Sequence, residues 1–391
     1  MLADDTDLLE QIGRHLASPC QAWLFGAGIS KEAGIPLMHA LTSRVRALAK
    51  SSSPHDNVLN TLFAELPEKA HIEHFLSHLG DYAAIAERTM AGKIRINGEI
   101  FNPDDLVKVH RKVVSWIAEI VRWGYKPATA STPEKIGSLQ EPAVEIDDHK
   151  AFIEALFKTA AAGLDDRRDA IRLFSTNYDT LLEDALALCG ITYWDGFSGG
   201  AIAFRNFHFG EPEPKIGYRA HVIKLHGSID WHMGDDGRVW RVRDGDAYPA
   251  TRGRVLIYPQ ATKYIATQRD PFAAQFDLLR RTLSTTKDNV LSICGYSFGD
   301  EHINQEIEFS MTAPDSRTTM LVFYNESDGL STCLKNWRLS SWNKRLYVMT
   351  EKGLYVGDGG PFCSPQIGKE HDWWTFAGLT RLLNNGAEGY L

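Results

Sequence analysis

Short apolar runs rich in β-branched residues recur along this chain of 391 residues, and their rhythm constrains its fold more than any other feature. The runs lie at 22–25, 171–175, 221–225, 254–258, 290–294, 319–323 and 345–349. Most are separated by helical patterns, and several are apolar without strict alternation. Strands of that kind are typical of a parallel sheet covered on both faces. The sequence therefore predicts an α/β fold in which helices flank a parallel sheet.

A long interval between the first two runs has helical periodicity interrupted by turn signals. Its clearest helical patterns lie at 72–87, 104–123 and 148–162. We therefore predict a sheet core of residues 1–36 and 166–391, with a mainly helical insertion over residues 37–165. A second interruption at 193–220, which carries several glycine and aromatic residues, is predicted to be a capping loop.

Charge balance and cysteine content argue against several classes of protein. Lys and Arg total 42 against 50 Asp and Glu, and a net charge of -8 without a basic tract disfavours direct nucleic-acid binding. No apolar run approaches the roughly 18 residues of a membrane span, so we expect a soluble, cytoplasmic protein that contacts no membrane. The five scattered cysteines fit neither a disulfide framework nor a four-thiolate zinc module, and no metal is expected.

The first motif, Gly26-Ala27-Gly28-Ile29-Ser30, directly follows the run at 22–25, and Gly34-Ile35-Pro36 comes shortly after it. Gly26 and Gly28 would let backbone N–H groups approach a pyrophosphate at the start of a helix, where Ser30 adds a hydroxyl donor. Because Lys31 replaces the third glycine of a dinucleotide fingerprint, the glycines alone are equally compatible with an ordinary turn.

The second motif, Ser175-Thr176-Asn177-Tyr178-Asp179, lies at the end of the run at 171–175. Polar groups at the carboxyl end of a parallel strand face the ligand crevice of such a sheet. Asn177 and Asp179 are therefore candidate site residues, and Thr176 is a candidate for ligand contact. Alternatively, Thr176 or Asp179 caps the helix that begins near Thr180.

The third motif, Lys224-Leu225-His226-Gly227-Ser228, ends the run at 221–225. A histidine followed by Gly-Ser at a strand end has room for a substrate beside it and titrates near neutral pH. His226 is therefore the strongest catalytic candidate, with Gly227 as a binding candidate beside it. Ser228 could instead be only a turn residue.

The fourth motif, Cys294-Gly295-Tyr296-Ser297-Phe298, ends the run at 290–294 in the same way. Gly295 and Ser297 place a glycine and a small hydroxyl group at this strand end. Asn325, which follows the run at 319–323, is a further candidate, although asparagine after a strand is also common in turns.

In their order along the chain, these motifs resemble those of the sirtuins. Gly-Ala-Gly-Ile-Ser with Gly-Ile-Pro resembles the sirtuin opening motif, Asn177 and Asp179 match the Asn and Asp of Gln-Asn-Ile-Asp, and His226 matches the His of His-Gly. The resemblance implies a Rossmann-like core that binds NAD as a substrate. The residues it implies as NAD contacts are Gly26, Ala27, Gly28, Ser30, Thr176, Gly227, Gly295, Ser297 and Asn325.

Two departures separate the chain from protein-deacylating sirtuins. Those enzymes generally carry two Cys pairs for a structural zinc, whereas only Cys189 lies between the second and fourth motifs here. Their Asp-Phe-Arg after Gly-Ile-Pro is replaced by Leu37-Met38-His39. The remaining pattern is similar to the divergent prokaryotic sirtuin-like group of antiphage defence modules, which deplete NAD. This resemblance implies a homo-oligomer that works with a separately encoded partner such as a HerA-type ATPase.

The reaction that the resemblance implies is cleavage of NAD by water into nicotinamide and ADP-ribose. We expect Asn177 to position the water and the ribose, and Asp179 to hydrogen-bond the nicotinamide carboxamide. His226 would accept a proton from a ribose hydroxyl or from the attacking water. A non-catalytic NAD or ADP-ribose sensor remains an alternative, and an NAD-dependent protein deacylase is a more distant one.

Two further clusters are expected to be structural. His71, His74 and His78 share one face of a helix and could hold a metal ion, but their apolar neighbours favour a partly buried helix face. The aromatic cluster at 373–376 is expected to form a core or subunit contact rather than a platform for stacking nucleic-acid bases.

Overall fold

The computed structural model describes residues 5–50, 53–160, 169–243, 251–256 and 270–387 of the chain. Within these ranges the chain forms a nine-stranded, mainly parallel sheet with helices on both faces. A helical unit and a five-stranded antiparallel sheet lie beside it. The predicted α/β class with a Rossmann-like parallel sheet is confirmed.

The described helices are α1 (Asp5–Leu16), α2 (Met38–Lys50), α3 (Ser53–Phe63), α4 (Ile72–Arg88), α5 (Pro103–Trp123), α6 (Asp147–Ala160), α7 (Leu181–Leu188), α8 (Phe272–Leu283), α9 (Glu301–Thr312), α10 (Thr332–Trp337) and α11 (Phe376–Asn385). Two short 3-10 helices span Ala27–Ser30 and Asn343–Arg345. None of these described helices is long and apolar enough to cross a membrane.

The described strands are β1 (Gln21–Phe25), β2 (Ile94–Ile96), β3 (Glu99–Phe101), β4 (Tyr125–Lys126), β5 (Lys135–Ile136), β6 (Ile171–Ser175), β7 (Tyr193–Trp194), β8 (Phe197–Gly199), β9 (Ile202–Arg205), β10 (Ala220–Lys224), β11 (Gly227–Gly234), β12 (Val239–Val242), β13 (Thr251–Leu256), β14 (Asn289–Cys294), β15 (Thr318–Phe323), β16 (Leu346–Thr350), β17 (Gly353–Val356) and β18 (Gly359–Phe362).

The large sheet has the strand order β18-β17-β16-β15-β14-β1-β6-β10-β7. The strands from β16 to β7 in that order are parallel, and β17 and β18 add an antiparallel edge. The order reverses at β1, which pairs with β14 on one side and with β6 on the other. In open sheets of this kind, the ligand crevice lies at such a switch point, outside the carboxyl ends of the strands.

Alternate residues of the central strand β1 point to opposite faces of the sheet. Trp23 and Phe25 pack in a cluster with α1, α6, α7 and α11, whereas Ala22 and Leu24 pack in a cluster with α8, α9 and α10. All four side chains are fully buried. Coverage on both faces explains why the sequence of this strand is apolar without alternation.

Helices α2, α3, α4 and α5 form a helical unit with an apolar cluster of its own. Helix α5 begins with Pro103 and two aspartates, and it ends at Gly124, whose φ is 77°. Proline, acidic residues and a terminal glycine favour these helix ends. The cluster also contains Tyr178 and Ile229, so the unit packs next to the ends of β6 and β10.

Helix α6 belongs by its packing to the sheet rather than to this helical unit. Its side chains Phe152 and Leu156 are buried in the same cluster as Trp23 and Phe25. The insertion boundary predicted at residue 165 lies outside the described residues.

The antiparallel sheet has the order β13-β11-β12-β9-β8. The segment 193–220, predicted as a loop, contains the short strands β7, β8 and β9, and β7 pairs with β10 at the edge of the large sheet. The run predicted at 254–258 begins within β13, which pairs antiparallel with β11. Residues 257 and 258 lie outside the described residues.

Candidate functional site

The last residues of five neighbouring strands, from which the sequence motifs lead off, are aligned in one row across the sheet. Phe25 pairs with Ser175 and with Cys294, Ser175 pairs with Lys224, and Cys294 pairs with Phe323. Because these strands are parallel, the residues that follow the row all emerge at the same edge of the sheet. The structure therefore brings the predicted site residues to one edge, at the switch point beside β1.

The turns that follow β1 and β14 pack backbone against backbone. The N–H group of Gly26 donates to the carbonyl oxygen of Cys294 over 3.1 Å, and that of Gly28 donates to the carbonyl oxygen of Gly295 over 2.9 Å. A Cβ atom at Gly26 would lie 2.4 Å from the Gly295 carbonyl oxygen, and one at Gly28 would lie 2.7 Å from the Gly295 Cα. The glycines therefore have a packing role that the sequence analysis did not predict, and their contact with phosphate stays a prediction.

Ser30 joins the first motif to the second through buried hydrogen bonds. Its Oγ donates to Oδ2 of Asp179 over 2.9 Å and accepts from Nδ2 of Asn177 over 3.2 Å. The same Asn177 nitrogen donates to the carbonyl oxygen of Gly26 over 3.1 Å. Predicted site residues from two distant segments thus form one connected cluster.

Two donor bonds fix the orientation of the Asn177 amide. Its nitrogen faces Gly26 and Ser30, so its oxygen must point away from them. That oxygen, Oδ1, is buried and has no hydrogen-bond partner among the described residues, in a residue that is 7% exposed. A buried acceptor without a donor costs about 1–3 kcal/mol. A hydroxyl group or a water molecule that donates to Oδ1 would remove this cost.

Asp179 and Thr176 also make contacts that hold the strand ends together. Oδ1 of Asp179 accepts a hydrogen bond from the main-chain N–H group of Leu181, the first residue of α7, over 3.1 Å. Asp179 therefore bonds to the start of this helix as well as to Ser30. The N–H and hydroxyl groups of Thr176 both lie within hydrogen-bond distance of the Phe25 carbonyl oxygen, at 3.0 and 3.3 Å.

A buried ion pair lies next to Asp179. Nζ of Lys224 lies 3.7 Å from Oε1 of Glu183, and it also donates to the main-chain oxygen of Asp179. Both charged side chains are almost fully buried. Burial raises the pKa of Glu183 to about 7, against the opposing effect of Lys224. Lys224 therefore ties the end of β10 to the second motif.

His226 lies beside two residues that the sequence analysis did not single out, Asp300 and His302. Nε2 of His226 lies 3.1 Å from Oδ2 of Asp300, and Nδ1 of His302 lies 3.3 Å from Oδ1 of the same carboxylate. The two rings are nearly parallel, with an interplanar angle of 21° and centroids 5.8 Å apart. The carboxylate thus contacts both imidazoles. Within the described parts of the chain, this is the group of three side chains that could hold a metal ion.

The loop between β14 and α9 holds Asp300 in this position. The Tyr296 hydroxyl donates to Oδ1 of Asn304 over 3.1 Å, and Nδ2 of Asn304 donates to the Phe298 carbonyl oxygen over 2.8 Å. Phe298 has a φ of 60°, a strained conformation for a residue other than glycine. Asp300 directly precedes α9, and its side chain makes no capping bond to that helix. The Asp-x-His pattern right after the fourth motif is the sequence signal that could have identified them.

The other predicted binding residues lie at the same edge but make local contacts. Oγ of Ser297 and Oδ1 of Asn325 each accept from the main-chain N–H group two residues later, over 3.3 and 3.2 Å. Gly227, with a φ of 81°, begins β11, and Ala27 is exposed. Ser228 donates to the Tyr178 carbonyl oxygen over 3.3 Å. The predicted NAD contacts of these residues stay predictions.

His149, on α6, is a further histidine that the sequence analysis missed. It is fully buried, and within the described residues neither ring nitrogen has a hydrogen-bond partner. Burial lowers its pKa, although the negative charge of Asp179 opposes that shift. His149 is therefore neutral at pH values near 7, at a position where its ring nitrogens are poorly accommodated.

The histidines of α4 have separate contacts. His71 precedes the helix, and its main-chain N–H group donates a hydrogen bond to Nδ1 of His74 over 3.3 Å. Nε2 of His78 lies 2.8 Å from Oε2 of Glu65. Burial lowers the pKa of His71 to about 4. These contacts support a structural role. At the other end of the chain, Trp373 is fully buried in the core cluster of the sheet.

Comparison with known proteins links part of the chain to one family. The family model described as a SIR2-like domain matches residues 172–346. None of the curated proteins matches the chain. Among solved structures, the crystal structure of a Sir2 homolog in complex with NAD shares 13% sequence identity, with a TM-score of 0.37, over 81% of this chain and 83% of that chain. The matched range 172–346 contains Asn177, His226 and Gly295, but it does not include the first motif.

Proposed function

We propose that this chain is an NAD glycohydrolase that cleaves the bond between nicotinamide and ribose with water. The observation that carries the proposal is the Asn177 amide, whose oxygen is buried at the switch point of the sheet and has no hydrogen-bond partner in the described parts of the chain. Nucleotides bind at this position in open α/β sheets. The SIR2-like match over residues 172–346 supports NAD as the nucleotide.

The reaction converts NAD and water into nicotinamide, ADP-ribose and a proton. Nicotinamide leaves as a neutral molecule, so the protein mainly has to orient the ribose and the water and stabilise the positive charge that develops on the ribose. Asn177 accepts a hydrogen bond from the water or from a ribose hydroxyl through Oδ1. His226 accepts the proton that is released.

Asp179 supports this arrangement in two ways. Each of its carboxylate oxygens already accepts one hydrogen bond, from Ser30 and from Leu181, which fixes the position of the side chain. Each carboxylate oxygen has a second lone pair, and one of the two oxygens accepts a hydrogen bond from the NH2 group of the nicotinamide carboxamide. Gly26, Ala27, Gly28 and Ser30 contact the phosphates and the adenosine ribose together with Ser297 and Asn325. Thr176, Gly227 and Gly295 are further NAD contacts in this proposal.

The same geometry separates this proposal from its alternatives. A sensor that only binds NAD would not need a basic histidine next to a carboxylate, so the His226–Asp300 contact favours an enzyme. A protein deacylase of the zinc-containing type is disfavoured because only Cys189 lies between the second and fourth motifs, so the two Cys pairs for a structural zinc are missing.

We further propose that the enzyme works as a homo-oligomer in antiphage defence and with a HerA-type ATPase, as the sequence resemblance implies. The segment 193–220 supports a contact surface, because Phe204, Phe209, Ile216 and Tyr218 are exposed there. A change of Ile216 to Asp should lower the molar mass measured by light scattering if this surface joins subunits, and an unchanged mass would exclude this residue from the contact.

The first experiment is to incubate the purified protein with NAD and to follow nicotinamide and ADP-ribose by chromatography. Equal amounts of both products from the wild type, and none from His226→Ala, would support hydrolysis at this site. Tight NAD binding without products would support the sensor instead. Equal product formation by the two proteins would remove His226 from the reaction.

A further inference from the structure

We propose that His226, Asp300 and His302 form a transition-metal site, and that an ion bound there blocks NAD cleavage. The second half of this proposal rests on the function proposed above, because it assigns His226 as the base. The first half does not depend on that function.

The spacing of the donor atoms supports a metal site. One ligand atom from each of the three side chains lies within 4.8 Å of the others. The two contacts with the carboxylate are shorter, at 3.1 Å from His226 to Oδ2 and 3.3 Å from His302 to Oδ1. Ligands bound to zinc at about 2.0–2.2 Å are roughly 3.3 Å apart in tetrahedral geometry. A modest approach of the two histidines would therefore complete the set.

The surrounding structure holds the three ligands on separate elements. His226 follows β10, Asp300 lies at the end of a loop tied by Asn304, and His302 is in the first turn of α9. The ring of Phe276 lies 5.1 Å from that of His302 and limits its movement. Because the ligands are positioned before an ion binds, binding needs little ordering of the chain.

The donor types indicate which ions would bind. Two imidazole nitrogens and one carboxylate oxygen suit zinc and other late first-row metals, whereas magnesium and calcium prefer oxygen ligands. Three protein ligands leave a coordination position for water. An ion held by the His226 ring occupies a nitrogen lone pair and adds positive charge, so the ring becomes a poor proton acceptor. Occupation of the site therefore opposes the base role of His226.

Zinc binding tests the site directly and without NAD. The full-length protein is freed of metals with a chelator and then titrated with ZnCl2 in competition with a chromogenic zinc indicator. We expect the wild type to bind zinc at this site and His302→Ala and Asp300→Asn each to weaken this binding at least about tenfold. Glu301→Gln, which removes an exposed charge next to Asp300, and His78→Ala, which removes a histidine of α4, should bind as the wild type does.

Inhibition of NAD cleavage tests the second half. Zinc should inhibit the wild type reversibly, and EDTA should restore its activity. The zinc concentration that halves the metal-free rate of His302→Ala should be at least about tenfold higher than the one that halves the metal-free rate of the wild type. Wild-type zinc affinity in both His302→Ala and Asp300→Asn, each with an unchanged circular dichroism spectrum, would overturn the site. If the metal-free protein cleaves no NAD while zinc binding still depends on these residues, the proposed function fails and the metal site stands.

Discussion

The packing of the Gly26 turn against the Gly295 turn allows a sharp test of how the site is built. In Gly26→Ala, the new Cβ would lie 2.4 Å from the Gly295 carbonyl oxygen and 2.6 Å from the Tyr296 Cα. Both contacts are with backbone, so the turns must separate by several tenths of an ångström. That separation weakens the hydrogen bonds from Gly26 to Cys294 and from Gly28 to Gly295.

The expected loss of stability follows from these contacts. Two weakened hydrogen bonds cost about 0.5–1.5 kcal/mol each, and forcing extra volume into a packed region costs about 1–3 kcal/mol. We expect Gly26→Ala to lower the free energy of unfolding by about 3 kcal/mol. Thermal unfolding followed by circular dichroism should show a midpoint lower by roughly 4 °C, since the unfolding entropy of a chain of 391 residues is about 0.8 kcal/mol per kelvin.

Gly200→Ala is the matched control for this change. A Cβ atom at Gly200 would have no neighbour within 4 Å among the residues that the structure describes, and the residue does not have a left-handed φ. Its midpoint should stay within about 1 °C of the wild type. If Gly26→Ala unfolds at the same temperature as Gly200→Ala, the two turns do not pack as described.

Three further changes test other parts of the site. Ser30→Ala removes the hydroxyl that joins Asn177 and Asp179 and should lower the rate of NAD cleavage about tenfold, since a hydrogen bond to a charged group contributes about 1.5–3 kcal/mol; an unchanged rate would contradict this role. His149→Leu should be at least as stable as the wild type, by up to about 1 kcal/mol, because it removes two buried ring nitrogens that have no hydrogen-bond partner among the described residues. Its advantage in urea unfolding should grow as the pH falls below 6.5, because burial lowers the pKa of the folded histidine and the unfolded chain takes up the proton first. Burial raises the pKa of Glu183 from 4.5 to about 7, so its folded form keeps a proton that the unfolded chain has lost. Relative to Glu183→Gln, the wild type should therefore lose about 2 kcal/mol of stability between about pH 5 and about pH 8, and a constant difference would show that Glu183 does not titrate in this range.

The sequence was sufficient to predict the sheet and the edge at which the motifs meet. Strands covered on both faces need apolar side chains throughout, so runs such as Val290–Cys294 were recognisable. Because parallel strands place their carboxyl ends at one edge, Asn177 and His226 could be assigned to a common region without knowledge of the strand order.

Contacts between distant segments could not be predicted in the same way. The pairing of His226 with Asp300 depends on how the loop after β14 is folded, and no periodicity records it. The backbone contact between Gly26 and Gly295 likewise depends on the adjacency of β1 and β14. The antiparallel sheet was missed because β8 and β9 are only three and four residues long, within a segment whose glycines indicated a loop.

The role of Asn177 could be predicted from the sequence only in part. The sequence identified the residue, but the free oxygen follows from two donor bonds to Gly26 and Ser30, which come from a segment far away in the chain. Residue type and position therefore identified Asn177 as a candidate, and only the packed structure shows that Oδ1 is the atom left without a hydrogen-bond partner among the described residues.

The most direct test of the proposed enzyme is the turnover of Asn177→Ala with saturating NAD, measured as released nicotinamide. Asn60→Ala, which changes an exposed asparagine of α3, is the matched control, and circular dichroism checks that both variants are folded. We expect Asn177→Ala to cleave NAD slower by on the order of a hundredfold or more, while Asn60→Ala retains the wild-type rate. Near-normal turnover by a folded Asn177→Ala variant would contradict the assignment of this amide to the reaction.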